Sequence, residues 1–480
     1  MNFNSLSYMQ FLFITVLLYY ILPHKLRNPL LLIISYGFYM LWEPRFALLL
    51  LFATLFSWLM AKRIEKAENK KAWLAASLVI LLGMLVFFKY AGFAVTVVSD
   101  IRGLFGLAAL EVPSIILPGG ISFFTFTVCG YLIDVYRGKN SAESNILNYA
   151  LFVSFFPSIL SGPIVRGINL LPQYREKHSF DPQNIREGFT MFIWGLFKKM
   201  VIADTAAILV NNFYEWPNSF NSPQAVLALF MYSIQIYCDF SSYSEMAIGS
   251  ARMLGFDLGE NFRRPYTAAS VKEFWRRWHI SLTSWFRDYI YFPLGGSRRG
   301  KIRTYANLLI VFLVSGLWHG AAYTFIIWGA LNGLYQVFGE ILKPLREKIA
   351  KLLHIPAFIR KCFGICFTFG LITLSWVFFR SGTLELAGAV IVRAAHLPFE
   401  LWARDFTVLG MTYRQLCVLL AAIALLVIVE FVSEKWDIFA KLNRTVIPRY
   451  LVYIFLALAI AIFGAYGKGF DMQEFVYFQF

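Results

Sequence analysis

Residues 304–339, TYANLLIVFLVSGLWHGAAYTFIIWGALNGLYQVFG, carry no Asp, Glu, Lys or Arg between Arg303 and Glu340. A membrane-crossing helix needs about 20 mostly apolar residues. This run is long enough to bend or to hold two short membrane helices. His319 lies inside it, in Ser315-Gly316-Leu317-Trp318-His319-Gly320. At about 1.5 Å of rise per residue, a helical path from His319 to the nearer charge is roughly 24 Å long. An ionisable side chain that deep in a bilayer is costly and is usually there for function.

The rest of the chain reads the same way. Of its 480 residues, 59% are hydrophobic and 15% charged, against roughly 25% charged in a soluble protein. That leaves too little polar surface to cover a water-facing globule. Further apolar runs fall near 8–22, 29–60, 73–98, 115–133, 146–165, 188–211, 223–250, 362–379, 415–432 and 447–466. The expected fold is all-α: a polytopic integral membrane protein of about 11–13 membrane helices plus interfacial helices, forming a single domain over 1–480. The first run lacks a basic leader and a small-residue cleavage site, so it is expected to stay as a membrane helix.

The net charge of +16 would point a soluble protein towards nucleic acid. Here the basic residues fall mainly in short connections, at 62–71, 343–361 and 435–449. Cytoplasmic loops carry such an excess, so these are expected to face the cytoplasm. Anionic lipid head groups or an acidic donor would use the same charge; nucleic acid is not an expected partner.

Residues 252–303 stand apart, with eleven of the 44 basic residues among many aromatic ones. Ser270 and Glu273 have capping-box spacing. On a helical wheel Phe274, Trp275, Trp278, Leu282, Trp285, Phe286 and Tyr289 share one arc and Lys272, Arg276 and Arg287 the opposite one, with His279 at the boundary. Such a helix is expected to lie in the membrane interface.

His319 reads either as a general base, one ring nitrogen accepting a proton while the other is held, or as a packing histidine bonded to a neighbouring helix. Gly316 and Gly320 have the spacing that lets a helix or substrate approach the backbone closely. His279 is a second candidate. Arg276 and Arg277, with Trp278 and Trp318 beside the two histidines, could line a substrate path. The arginines could pair with donor phosphates or simply snorkel. Asp239 and Glu245, at the end of an apolar run, should face the protein interior, to orient a reacting group or to pair structurally. No P-loop, His-Glu-x-x-His or Gly-x-Ser-x-Gly pattern is present, so ATP hydrolysis, metalloproteolysis and serine-esterase chemistry lack local support. The five scattered cysteines lack metal-ligand spacing, and neither a metal nor a disulfide framework is expected.

These segments resemble the membrane-bound O-acyltransferase family, and within it the bacterial alginate O-acetyltransferase branch. The matching stretches are Phe155-Phe156-Pro157 to Gly162-Pro163-Ile164, Trp194-Gly195-Leu196-Phe197-Lys198-Lys199, Asp239-Phe240-Ser241, Glu273-Phe274-Trp275-Arg276-Arg277-Trp278-His279, Arg287-Asp288-Tyr289 to Gly295-Gly296, Ser315 to Gly320, and the ending Tyr477-Phe478-Gln479-Phe480. Ser158 and Ser161 stand where relatives often show other small or polar residues, and Ser242 and Glu245 replace a more usual Gly and Asp. The resemblance implies a ring of helices around a central funnel, with His319 as the catalytic histidine and His279 as a second motif histidine of less settled role. It further implies an acyl thioester donor such as acetyl-CoA, no bound cofactor, a periplasmic partner protein and location in the bacterial inner membrane. The implied acceptor is a hydroxyl of an exopolysaccharide or cell-wall glycan, alginate or peptidoglycan for example. D-alanyl transfer from an acyl carrier protein to teichoic acid is an alternative, and a saccharide transporter is another.

Overall fold

The computed structural model describes residues 1–480 except 42, 161, 397–405, 437, 467–474 and 477–480. Ser161 and the ending Tyr477 to Phe480 therefore lie outside the described residues. Among the described residues the regular structure is helical throughout. By length and composition, seven helices are fit to cross a membrane: Pro44–Lys66, Lys70–Leu104, Ser222–Met253, Lys301–His319, Ala357–Arg380, Tyr413–Ser433 and Val446–Phe463. Tyr323–Ile341 with Lys343–Leu352, bent by 48°, makes an eighth on the same measure. Leu6–Ile21 and Ile121–Tyr136 are apolar but shorter. Other apolar runs break into short pieces; 146–165 yields Ile146–Ser154 and Phe156–Ile159, divided where Pro157 falls in the second helix's first turn. The protein is a multi-pass membrane protein.

The chain divides into two compact units, Met1–Phe192 with Met246–Gly259 and Ile193–Glu245 with Glu260–Phe480. In the first, side chains such as Val79, Phe87 and Leu104 stand exposed along the helix Lys70–Leu104. That suits a helix whose solvent is hydrocarbon. Some of its buried hydroxyls are satisfied within their own helices: Thr54 donates to the Leu50 carbonyl and Ser57 to the Ala53 carbonyl. An apolar solvent requires that economy, because an unpaired polar group there has no water to turn to.

The second unit holds every candidate site residue. Residues 231–244 of the helix Ser222–Met253 are buried without a break, although they include Asp239 and four serines. The long uncharged run folds as Lys301–His319 and Tyr323–Ile341, parted by Gly320, Ala321 and Ala322, as its length allowed. A Cβ on Gly316 would lie 2.2 Å from the Phe325 carbonyl oxygen, and one on Gly329 would lie 2.4 Å from that of Phe312. A Cβ on Gly333 would lie 3.0 Å from the Leu309 side chain and 3.3 Å from its Cα. Partner numbers rise on one helix as they fall on the other, so the two run antiparallel, backbone against backbone. Gly320 continues the contact, because its Cβ would fall 2.0 Å from the Phe325 ring. The small-residue spacing thus seats a helix.

Gly316→Ala should cost about 1–3 kcal/mol, the range for overpacking a filled interior, read as a lower unfolding temperature in detergent. Gly339→Ala, on the partner helix Tyr323–Ile341 with nothing within 4 Å of the added carbon, should leave that temperature unchanged or raise it. Equal behaviour of the two variants would contradict the glycine contact.

Candidate active site

His319 is the last residue of its helix, capped by extended Gly320, and is 4% exposed. Its ring is nearly perpendicular to those of Trp318 and Trp328, with both centroids 5.0 Å away, and it meets Phe379 at 5.3 Å. Trp328 comes from the partner helix that the glycines bring close. Phe379 comes from Ala357–Arg380. Three helices therefore wall the imidazole in aromatic rings. Removing water strengthens every electrostatic interaction inside such a site.

His279 lies where the sequence placed one continuous amphipathic helix. The structure breaks that helix into Val271–Arg277 and Ile280–Phe286, with His279 between them at φ 44°. The cause is Asn261. Its backbone carbonyl accepts the Ile280 N–H, and its Oδ1 accepts the N–H and hydroxyl of Ser281. These bonds replace the intrahelical ones that a wheel assumes. The aromatic arc is nonetheless buried from Phe274 to Tyr289. The cap also forms, in modified form: Ser270 accepts the Glu273 N–H, while the Glu273 carboxylate reaches the Ala269 N–H instead of that of Ser270.

The His279 Nδ1 lies 3.2 Å from Asn261 Oδ1. Because that oxygen accepts, Nδ1 carries the proton and Nε2 the lone pair. Phe240 stands edge-on to the ring at 4.6 Å. Burial pulls the imidazole down from 6.5 to about 3, so it is neutral at any physiological pH. Trp318 touches both histidines, 6.0 Å from His279 and 5.0 Å from His319.

The other candidates are placed differently. Arg277 is fixed locally by an ion pair with Glu273 and by bonds to the Thr267 hydroxyl and the Arg264 carbonyl. Arg276 is exposed at the end of the same helix. Trp278 is buried among Phe262, Phe274 and Trp376. Asp239 belongs to a separate buried ionic cluster. Lys199 lies 2.7 Å from both Asp204 and Asp239, and the second Asp239 oxygen accepts the Val476 N–H at 2.9 Å. Adjacent Lys198 pairs with Glu245 at 2.8 Å and donates to Ser241 at 2.7 Å. The two lysines start a π-helical turn, Lys198–Ala203, and successive residues on a helix point in different directions, so each meets its own acid. Lys198, Lys199, Asp204, Asn261, Trp328 and Phe379 escaped the residue-by-residue reading. The motif Trp194-Gly195-Leu196-Phe197-Lys198-Lys199 was the one local signal among them.

Both histidines are thus held inside an aromatic, multi-pass framework. The chain belongs to the membrane-bound O-acyltransferase family, whose model matches residues 135–379, a span that takes in both histidines. By that membership it is an O-acyltransferase. It is 40% identical over 384 residues to a probable alginate O-acetylase of Pseudomonas aeruginosa, covering 78% of this chain and 72% of that one. A peptidoglycan O-acetyltransferase of Helicobacter pylori is 35% identical over 411 residues, 78% of this chain and 75% of the relative. A teichoic acid D-alanyltransferase of Streptococcus thermophilus is 29% identical over 287 residues, 55% and 68% of the two chains.

Two outcomes follow from this geometry. Lys199→Met leaves Asp204 and Asp239 buried without that cation and should cost about 3–5 kcal/mol, seen by thermal unfolding in detergent; a change below 1 kcal/mol, on the order of a surface pair, would contradict the buried cluster. The unfolded chain protonates His279 near 6.5, whereas the folded one waits until about 3. Stability from a neutral His279 is therefore complete above pH 6.5 and is lost as pH falls from there towards 3. His279→Asn keeps a residue that tolerates positive φ and should show a shallower loss of unfolding temperature below pH 6.5. Parallel curves for the two proteins would count against the buried neutral imidazole.

Proposed function

We propose that this enzyme transfers an acetyl group from acetyl-CoA, supplied on the cytoplasmic side of the bacterial inner membrane, to a hydroxyl presented on the outer side. A periplasmic partner protein then passes the group to an exopolysaccharide or cell-wall glycan, with alginate and peptidoglycan as the leading acceptors. The observation that carries this reading is His319: a buried imidazole, walled by three helices, in the segment shared with the acyltransferase family. The likeness to an alginate O-acetylase and a peptidoglycan O-acetyltransferase supports acetyl as the group moved.

His319 is the general base in this proposal. As the acceptor oxygen bonds to the thioester carbon, the imidazole takes the hydroxyl proton, and it returns that proton to the departing thiolate. Base catalysis of this kind contributes about 10²–10⁴-fold. His279 acts through Trp318: its Asn261 bond fixes the ring that flanks His319. Arg276 is the arginine available to donor phosphates, and Asp239 supports the fold. The likeness to teichoic acid D-alanyltransferases favours a second reading, D-alanyl transfer from an acyl carrier protein. That likeness covers less of the chain, at lower identity.

The test follows radiolabelled acetyl from acetyl-CoA in sealed inner-membrane vesicles. His319→Ala and His319→Gln should lower labelling of outer acceptors by about 10²–10⁴-fold at unchanged protein abundance. Undiminished labelling would refute the role of His319, and labelling only from a D-alanyl carrier protein would move the assignment to the second reading.

A further inference from the structure

Acyl transfer needs a donor for the carbonyl oxygen as it becomes an oxyanion, and the family motifs do not announce one. The tryptophans around His319 differ in what their indole N–H groups do. Trp275 donates to Asn332 Oδ1 at 3.2 Å. Trp376 donates to the Tyr266 hydroxyl at 3.2 Å, and that hydroxyl donates onward to the Ser233 carbonyl. Both N–H groups are committed to the fold. Trp328 is 0% exposed, yet its Nε1–H has no acceptor among the described residues. A buried donor left unsatisfied is costly, and such groups ask for an explanation.

Trp328 is also held rigidly. It stacks on Trp376 at 5.9 Å and meets Trp275 edge-on at 5.5 Å. Its backbone carbonyl accepts from Asn332, and the next residue, Gly329, is pressed against the Phe312 carbonyl. Its ring lies 5.0 Å from that of His319. One helical turn earlier, and so on the same face, Thr324 is buried with its hydroxyl likewise lacking a partner among the described residues. The Trp328 donor thus lies beside His319, while the indole N–H groups of Trp275 and Trp376 are committed to the fold.

We infer that the Trp328 indole N–H is the oxyanion donor of the acyl transfer, an inference that rests on the thioester reading above. The acceptor oxygen bonds to the carbonyl carbon as its proton passes to His319. The carbonyl π pair moves onto oxygen, where Trp328 donates to it. Its return breaks the carbon–sulfur bond, and the thiolate takes the proton from the imidazolium, leaving an acetyl ester and free coenzyme A thiol.

The experiment compares wild type with Trp328→Phe and with 3-benzothienylalanine at 328, which keeps the bicyclic shape and replaces N–H by sulfur. Release of coenzyme A thiol from acetyl-CoA is measured in vesicles with alginate oligosaccharide as acceptor. In parallel, the infrared band of carbonyl-¹³C acetyl-CoA is read when bound to His319→Ala enzyme with and without the 328 change. Both 328 variants should lower kcat by about 10²–10³-fold with KM unchanged, and the bound carbonyl band should move back towards its frequency in apolar solvent. Wild-type turnover with the benzothienyl variant within twofold of it, or a band indifferent to residue 328, overturns the donor role alone. No thiol release and no bound band in wild type overturns the thioester reading and the donor role with it.

Discussion

The close contact between Lys301–His319 and Tyr323–Ile341 is the constraint on which the rest of the site depends. Inside a bilayer, lipid tails are as apolar as leucine, so helices gain little by hiding hydrophobic surface from one another. What holds them is dispersion between surfaces that fit, and fit is best where side chains are absent. Gly316, Gly329 and Gly333 supply that absence. The backbone approach they permit brings Trp328 against His319 and lets Phe325 fill the space over Gly320. A methyl group at the crossing would separate His319 from the rings that define its environment.

The same solvent explains where the polar groups went. Asp204, Asp239, Lys198 and Lys199 are taken inward and paired, because an isolated charge in a medium of low polarity is far more costly than a matched one. Such pairs need not add net stability over an apolar core, but losing one partner is severe. The ionic cluster and the histidine pair meet through packing: Phe240 follows Asp239 in sequence and stands edge-on to His279, and Phe475 stacks on Tyr243 and packs tilted against Phe240 beside the Val476–Asp239 bond. The ionic cluster and the histidine pair thus adjoin along the helix Ser222–Met253, through Asp239 on one side and Phe240 on the other.

How much of this was legible beforehand depends on the range of the interaction. The membrane class is a local fact, readable from uncharged apolar runs, and the ordered motifs around His319 carry the family. The break at His279 is not local. A wheel finds an unbroken aromatic arc because the arc is real, but the backbone turns where Asn261 takes the N–H and hydroxyl of Ser281. The pairing of Lys199 with Asp239, and the meeting of His319 with Phe379, join residues from separate helices. No spacing in the chain marks those meetings. Trp328 escaped for a further reason, since a tryptophan in an apolar helix reads as filler until its N–H is accounted for.

The central claim is that the thioester reacts inside the aromatic enclosure of His319, and a direct view of a bound donor tests it best. A cryo-EM structure in nanodiscs with a non-hydrolysable acetyl-CoA analogue should place the carbonyl carbon in the enclosure, within reach of an acceptor hydroxyl bonded to His319 at about 3 Å. An analogue ordered elsewhere, with the enclosure around His319 closed as a packed core, would contradict the account.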